Sequence, residues 1–266
     1  MKPIAAFEAE EARALRGLLF DLDDTLLSHG VLTREAYGAL WDMRDAGLRL
    51  VAVTGRPSGW GEVIARQWPI DAAITENGAV HIVREGRGRQ GKGIARHEDC
   101  SESERRSRRI RLARLVEDVR NAVPEARLSD DVDARRSDVT WDIGERVSLR
   151  PDRVALIVHT IREAGARTTQ SSVHVHATFD ADDKASGSIA FLVRAFGEDA
   201  GAARVRYAFA GDSGNDAACF NAFRTTFAVS NVAPYLARIP VTPRYVTSRP
   251  MGEGFAEIAR AILGGR

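Results

Sequence analysis

The chain has 266 residues, 44% of them hydrophobic, and a formal net charge of +1. That is enough apolar content for a full core and enough length for two domains. The near-neutral balance excludes a global field that would draw nucleic acid or an anionic membrane. Residues 1–14 carry Glu8, Glu10, Glu11 and Arg13 in place of the apolar core of a secretory signal, and no stretch reaches the ~20 apolar residues of a membrane span. Cys100 and Cys219 lie far apart and in no metal-ligand spacing, so a reducing cytoplasm is expected, one disulfide being the alternative.

In chain order, strands are predicted at 15–22, 48–53 and 72–75, and helices at 33–46 and 58–67. Thr33 is the expected cap of the first helix and Gly47 its stop. This βαβαβ order predicts an α/β fold with a parallel, doubly wound sheet, whose ligand site lies at the carboxyl ends of the strands. Between Thr25 and Thr54 lie 28 residues, which one helix and one strand consume, but between Gly55 and Lys184 lie 128. A second domain is therefore expected inside the first, at 84–179, leaving 1–83 plus 180–266 as the core.

Within the insertion, 85–100 is rich in Gly and Arg and reads as a mobile hairpin or loop. A helix follows at 103–123, with Ile110, Leu112, Leu115, Val116 and Val119 near one face. Its basic run (Arg105, Arg106, Arg108, Arg109, Arg111 and Arg114) has no interleaved aromatics and is flanked by acids, so a solvated face is expected rather than a nucleic-acid stripe. Strand 140–149, helix 152–164 and strands 166–169 and 172–177 complete an α+β unit. His174 and His176 share one strand face. With no Cys or carboxylate partner near in sequence, they read as core or surface histidines, with substrate contact the alternative. Trp60 and Trp68 read as core or interface residues. Beyond the insertion come helix 185–196, strand 205–210, helix 215–222, strands 226–229 and 245–246, and helix 254–263.

Chemistry-bearing residues follow three of these strands. Asp21-Leu22-Asp23-Asp24-Thr25 succeeds the apolar run Leu18-Leu19-Phe20. Neighbouring carboxylates at a buried strand end repel each other and are costly to desolvate unless a cation offsets them. Mg²⁺ suits such hard oxygen ligands and holds phosphate as well. Val51-Ala52-Val53 ends in Thr54-Gly55-Arg56, where Thr54 can donate to a phosphate oxygen and Gly55 turns without a Cβ. Tyr207-Ala208-Phe209-Ala210 ends in Gly211-Asp212-Ser213-Gly214-Asn215-Asp216. Lys184 heads a helix in a chain with only Lys2 and Lys92 besides, its other basic residues being arginine. A retained lysine fits a need for a compact point charge.

DxDxT, Thr-Gly, the downstream Lys and GDxxND, in this order, resemble the four motifs of the haloacid dehalogenase-like phosphatase superfamily. Glu76-Asn77-Gly78-Ala79, Thr-Gly-Arg and the large insertion resemble its subclass IIB of Cof-type and sugar-phosphate phosphatases. Asp24 departs from the pattern, since many members carry Gly there. The resemblance implies a Rossmann-like core and an inserted cap that sets specificity. It implies Asp21 as nucleophile, Asp23 as general acid and base, and Thr54, Gly55, Lys184 and Asn215 as phosphate or substrate contacts. Mg²⁺ would be held by Asp21, Asp23 through its carbonyl, and Asp212, with Asp216 orienting these ligands or binding through water. Arg56 steadies either the phosphate loop or the cap hinge.

The implied function is Mg²⁺-dependent hydrolysis of a small sugar or polyol phosphate by a cytoplasmic monomer or homodimer without nucleic-acid or membrane partners. A phosphotransferase or mutase of the same fold, or a catalytically idle sugar-phosphate binder, are the alternatives. The compact Gly211–Asp216 motif differs from the elongated one of phosphomannomutases, and a pure binder has no need of Asp23.

Overall fold

The structure, a computed structural model, describes residues 1–85, 93–171 and 173–266. Among these, nine strands form one sheet in the order Lys2–Pro3, Tyr245–Val246, Thr225–Ala228, Tyr207–Gly211, Gly17–Phe20, Arg49–Val53, Ala72–Thr75, Val80–Glu85, Gly93–Glu98. Each pairing is parallel as far as Ala72–Thr75, and the last two are antiparallel. The chain builds outward in one direction from Gly17–Phe20 and later in the other from Tyr207–Gly211. The order thus reverses between these two neighbours, where an open parallel sheet binds its ligand.

Successive side chains of a strand point to opposite faces, so a strand covered on both sides reads as a continuous apolar run. Leu18 and Phe20 pack on one face with helices Arg34–Asp45 and Met251–Gly264; Leu19, Val51 and Val53 pack on the other with helices Lys184–Phe196 and Ala217–Ala222. Thr33 caps the first helix by accepting a hydrogen bond from Ala36 N at 3.3 Å. A second sheet, Arg127–Leu128, Asp138–Asp142, His174–Thr178, Arg167–Gln170, is antiparallel throughout. Trp141 and Val175 from this sheet pack with helices Glu102–Ala122 and Pro151–Glu163. The α/β core with a separate small α+β unit is the architecture that the strand and helix order predicts. Among the described residues, no helix is long and apolar enough to cross a membrane.

Several local expectations are corrected. Of the segment 85–100, expected as a hairpin or loop of the insertion, strand Gly93–Glu98 pairs antiparallel with Val80–Glu85 and so belongs to the large sheet; residues 86–92 of that expectation, and Ser172 of the expected strand 172–177, lie outside the described residues. Strand 140–149 is instead Asp138–Asp142. It stops there because the Asp142 carboxylate accepts the backbone N–H groups of Gly144, Glu145, Arg146 and Val147, folding the next residues into a turn. Strand 205–210 starts only at Tyr207, after helix Ala200–Arg206, which Asp199 caps. Strand Lys2–Pro3 and helix Ala9–Ala14 were not anticipated.

The arginine run is only partly solvated. Arg105 is buried, bonding Glu98 at 2.5 Å and Asp180 at 2.6 and 3.0 Å. Arg108 also reaches Asp180, and Arg111 lies over the Phe179 ring. The buried stripe is Leu112, Leu115 and Val119, while Ile110 is exposed. Arg106 and Arg114 are exposed, as expected of a solvated face. Cys100 and Cys219 are free thiols.

His81, on the strand beside Ala72–Thr75, is held neutral. Nε2 lies 3.1 Å from the Gly78 carbonyl, and Nδ1 meets the Arg194 guanidinium, so Nε2 carries the proton and Nδ1 accepts. Burial, then the Arg194 charge, lowers its pKa from 6.5 to about 4. Above pH 6.5 neither folded nor unfolded chain binds this proton. As pH falls from there toward 4, only the unfolded chain takes it up, and stability is lost, by about 3 kcal/mol at most. Urea midpoints at pH 7 and 4.5 should show the stability gap between wild type and His81→Gln shrinking as pH falls. A pH-independent gap would contradict the neutral, buried assignment.

Candidate active site

Asp21 follows the central strand, with its N–H bonded to the Ala210 carbonyl at 2.9 Å, and is buried at the sheet edge where strand order reverses. Lys184 reaches it from the N-terminus of helix Lys184–Phe196, its Nζ 2.9 Å from Asp21 Oδ1 and 2.8 Å from Asp216 Oδ1. Both glycines at this helix end are needed for the approach. A Cβ on Gly78 (φ +111°) would fall 2.1 Å from the Asp183 carbonyl, and one on Gly187 would fall 2.3 Å from that of Gly78. Asp183 caps the helix through Ala185 N and Ser186 N, fixing the turn from which Lys184 projects.

The other carboxylates come from the end of strand Tyr207–Gly211. Asp216 folds back to accept Asp212 N at 3.0 Å and Ser213 N at 3.3 Å with the oxygen that Lys184 leaves free. Asp212 accepts from Thr25 Oγ1 at 3.3 Å on one oxygen and from Asn231 Nδ2 at 3.2 Å on the other. Carboxylate oxygens of Asp21, Asp212 and Asp216 lie within 4.8 Å of one another, all three buried. Burial, with repulsion from Asp216 and Asp23, pushes Asp21 up to about 7 against the pull of Lys184. Burial, with Asp216 and Asp21, pushes Asp212 up to about 8. Burial opposes the ammonium of Lys184, but its two carboxylate partners raise its pKa overall. Three buried acids thus share one buried cation, an imbalance that a divalent metal with oxygen ligands fits.

Asp23 points elsewhere. Its half-exposed carboxylate takes a forked pair of bonds from Arg56, Nε at 3.0 Å and a terminal nitrogen at 2.5 Å, and Arg56 stacks on Trp60. Arg56 therefore contacts the candidate acid and base, and Trp60 is partly exposed beneath it rather than in the core. Trp68 packs against the core, as expected. Thr54 is fully buried, its hydroxyl accepting from Arg56 N at 3.1 Å. Asp24 has φ +54°, a left-handed conformation that Gly adopts freely and Asp tolerates, so a Gly-to-Asp exchange is accommodated there.

A cleft opens beside Lys184, lined on one side by Asn77, Lys184 and Asn215 and on the other by Asp138, His176 and Thr178 of the small sheet. Asn215 Oδ1 accepts from Ser213 Oγ at 2.7 Å, and the Gly55 carbonyl accepts from Arg135 at 3.0 Å. Glu76 ties the two sides together, accepting from Ser58 N on one and from Arg136 N, Ser137 N and Ser137 Oγ on the other. Asn231 was not anticipated, although it follows strand Thr225–Ala228 at the same sheet edge as the other site residues. Nor was the partner of His176, whose Nδ1 lies 3.1 Å from Asp138 Oδ2 on the neighbouring strand. The carboxylate partner of His176 does not lie near it in sequence; sheet pairing supplies it from 38 residues away. His174 pairs with Glu145 at 3.0 Å.

Residues 18–92 match the sequence model of the haloacid dehalogenase-like hydrolases. No curated protein sequence matches the chain. Solved structures share the fold at low identity. Protein 0175 of Thermoplasma acidophilum is 15% identical with a TM-score of 0.74, over 94% of this chain and 98% of its own. The sucrose phosphatase of Synechocystis, solved with sucrose and phosphate, is 15% identical with a TM-score of 0.66, over 93% and 98%. A subclass IIB sugar phosphatase of the haloacid dehalogenase superfamily is 18% identical with a TM-score of 0.64, over 94% and 100%. The sequence match covers the first motifs and the fold match covers more than nine-tenths of the chain, and both agree with the resemblance that the four motifs carry.

Proposed function

We propose that the protein is a Mg²⁺-dependent phosphomonoester hydrolase that acts on a small sugar or polyol phosphate through an aspartyl-phosphate on Asp21. One observation carries this reading: Asp21 and Lys184, 163 residues apart, meet in a buried ion pair beside Asp212 at the sheet's reversal point. A nucleophile, a fixed positive charge and a candidate metal site are thereby within reach of one phosphoryl group. The fold shared with a sucrose phosphatase and a sugar phosphatase supports a sugar-like leaving group.

Asp21 attacks phosphorus, and the bond to the leaving oxygen breaks as Asp23 gives that oxygen its proton. Water then attacks the phosphoryl group on Asp21, loses its proton to Asp23 and releases orthophosphate. Lys184 offsets charge on the phosphoryl oxygens, and Thr54 donates to one of them. For Asp23 to do this, its carboxylate must leave the Arg56 fork. Asp21, the Asp23 carbonyl and Asp212 would hold Mg²⁺, which when bound supplies positive charge that offsets the phosphate. Asp216, with its oxygens on Lys184 and the loop amides, is suited to orienting both. Gly55 and Asn215 are assigned to substrate contact. The cap is assigned to residues 99–179, with the hairpin strand Gly93–Glu98 counted in the core because it pairs in the large sheet.

Asp21→Asn removes the nucleophile with little change of shape. Turnover of phosphomonoesters should fall by at least ~10³-fold while circular dichroism is unchanged. Wild-type turnover by the clean variant would remove Asp21 from the mechanism.

Phosphate release should also stop with EDTA and return with Mg²⁺. Ca²⁺ should support it poorly, because Ca²⁺ accepts more ligands at longer distances and can engage both oxygens of the nucleophile. Equal kcat with EDTA or with Ca²⁺ alone would contradict the metal assignment.

A further inference from the structure

The turn after strand Arg49–Val53 has two of its carbonyls held by the core and the third held by the small α+β unit. Thr54 O accepts from Asn77 N at 3.1 Å and Arg56 O from Glu76 N at 3.0 Å, whereas Gly55 O accepts from Arg135 Nη1 at 3.0 Å. Arg135 lies shortly before strand Asp138–Asp142, and its side chain is buried. Asp131 accepts from its Nε and Nη2, each at 3.0 Å, and Asp138 accepts from Nη1 at 3.1 Å. Both acids belong to the same segment as the arginine, so its planar fork is oriented before it meets the core. That segment is docked on either side of Arg135: Ala134 O accepts from Ser58 Oγ, and Glu76 accepts from Arg136 N and Ser137 N.

The Gly55 carbonyl and the Arg56 N–H belong to one planar peptide and point to opposite sides of it. Fixing the carbonyl on Arg135 therefore aims the Arg56 N–H, which donates to Thr54 Oγ1 at 3.1 Å. With that N–H on one of its lone pairs, the Thr54 hydroxyl has its proton turned elsewhere, and the proton meets no acceptor among the described residues. The Gly55 N–H is likewise without a partner among them. Glycine offers little resistance to rotation of the peptide that follows it. Were that peptide to flip, the Arg56 N–H would leave Thr54 and the Gly55 carbonyl oxygen would take its place. The Thr54 hydroxyl would then donate to that oxygen instead of to a phosphate.

We propose that Arg135 is a positioning residue for the phosphate site: by holding the Gly55–Arg56 peptide from the small α+β unit, it keeps the Thr54 hydroxyl proton free for a phosphate oxygen. The turn is then a complete donor only while segment 131–138 is docked on it. The bonds of Arg135 to Asp131 and Asp138 lie within the small unit and do not need Gly55; the bond to Gly55 is the one that crosses to the core. The assignment rests on the phosphatase reading and adds to it the side chain through which one domain sets the phosphate turn of the other.

Calorimetry of inorganic phosphate binding to the full-length protein with Mg²⁺ tests this without turnover. Arg135→Lys keeps a charge beside Asp138, but an ammonium cannot hold two carboxylates and a carbonyl in the geometry of the fork. It should weaken phosphate binding by about 10-fold or more, as expected for a hydrogen bond to a charged group, with circular dichroism unchanged. In a Thr54→Val background, where no hydroxyl is left to orient, the same change should cost less than ~2-fold; in Thr54→Ser the full loss should return. An arginine that only stabilises the fold gives equal losses in all three backgrounds. That result, unchanged binding in Arg135→Lys, or no phosphate binding by the wild type overturns the proposal. If Arg135→Lys does not fold, Asp131→Asn, which loosens two of the arginine's bonds at a partly exposed carboxylate, goes through the same cycle. A Thr54-dependent loss of phosphate affinity, in a wild type that hydrolyses no phosphomonoester, would sustain the positioning role and sink the phosphatase reading.

Discussion

The structure turns on one buried electrostatic imbalance. Lys184 bridges Asp21 and Asp216, and Asp212 stands beside them with no cation of its own among the described residues. Removing one partner of a buried ion pair generally costs about 3–5 kcal/mol, because the other charge is left in a low dielectric. Here one carboxylate is in surplus from the outset, and the fold keeps it buried. Such an arrangement opposes stability and is retained where a ligand completes it.

Much of the architecture serves to hold that cluster at one place. Reversal of strand order puts the ends of Gly17–Phe20 and Tyr207–Gly211 side by side. The turn at Gly78 packs against Gly187 closely enough to admit no Cβ on either, and this sets the helix start that carries Lys184. Asn231 holds Asp212 while its own carbonyl oxygen accepts from Met251 N, linking the site to the C-terminal helix. Glu76 reaches across to Arg136 and Ser137, so the turn that helps seat Lys184 also anchors the small sheet over the cleft.

The core was legible in the sequence because its strands are buried on both faces and end in acids or Thr-Gly. Strand Ala72–Thr75 and helix Ser58–Gln67 fall where periodicity places them, and Asp21, Lys184, Asp212 and Asp216 converge as the motif order implied. The failures share a physical cause: contacts distant in sequence override local pattern. Asp142 ends its strand by gathering four amides, and Arg105 is drawn inward by Glu98 and Asp180. His176 acquires its carboxylate only when Asp138 pairs beside it. The Arg56 fork on Asp23 likewise joins residues 33 positions apart, which no local reading reveals.

If the surplus carboxylate awaits a cation, the folded chain should be stabilised by one independently of any substrate. Thermal unfolding of the purified protein over a Mg²⁺ series measures this directly, because a ligand that binds only the folded state raises Tm as its concentration exceeds Kd. The melting temperature should climb with Mg²⁺ in the wild type, and the climb should be lost in Asp212→Asn, where the surplus charge is gone. A wild-type Tm that ignores Mg²⁺, or an identical rise in Asp212→Asn, would contradict the account.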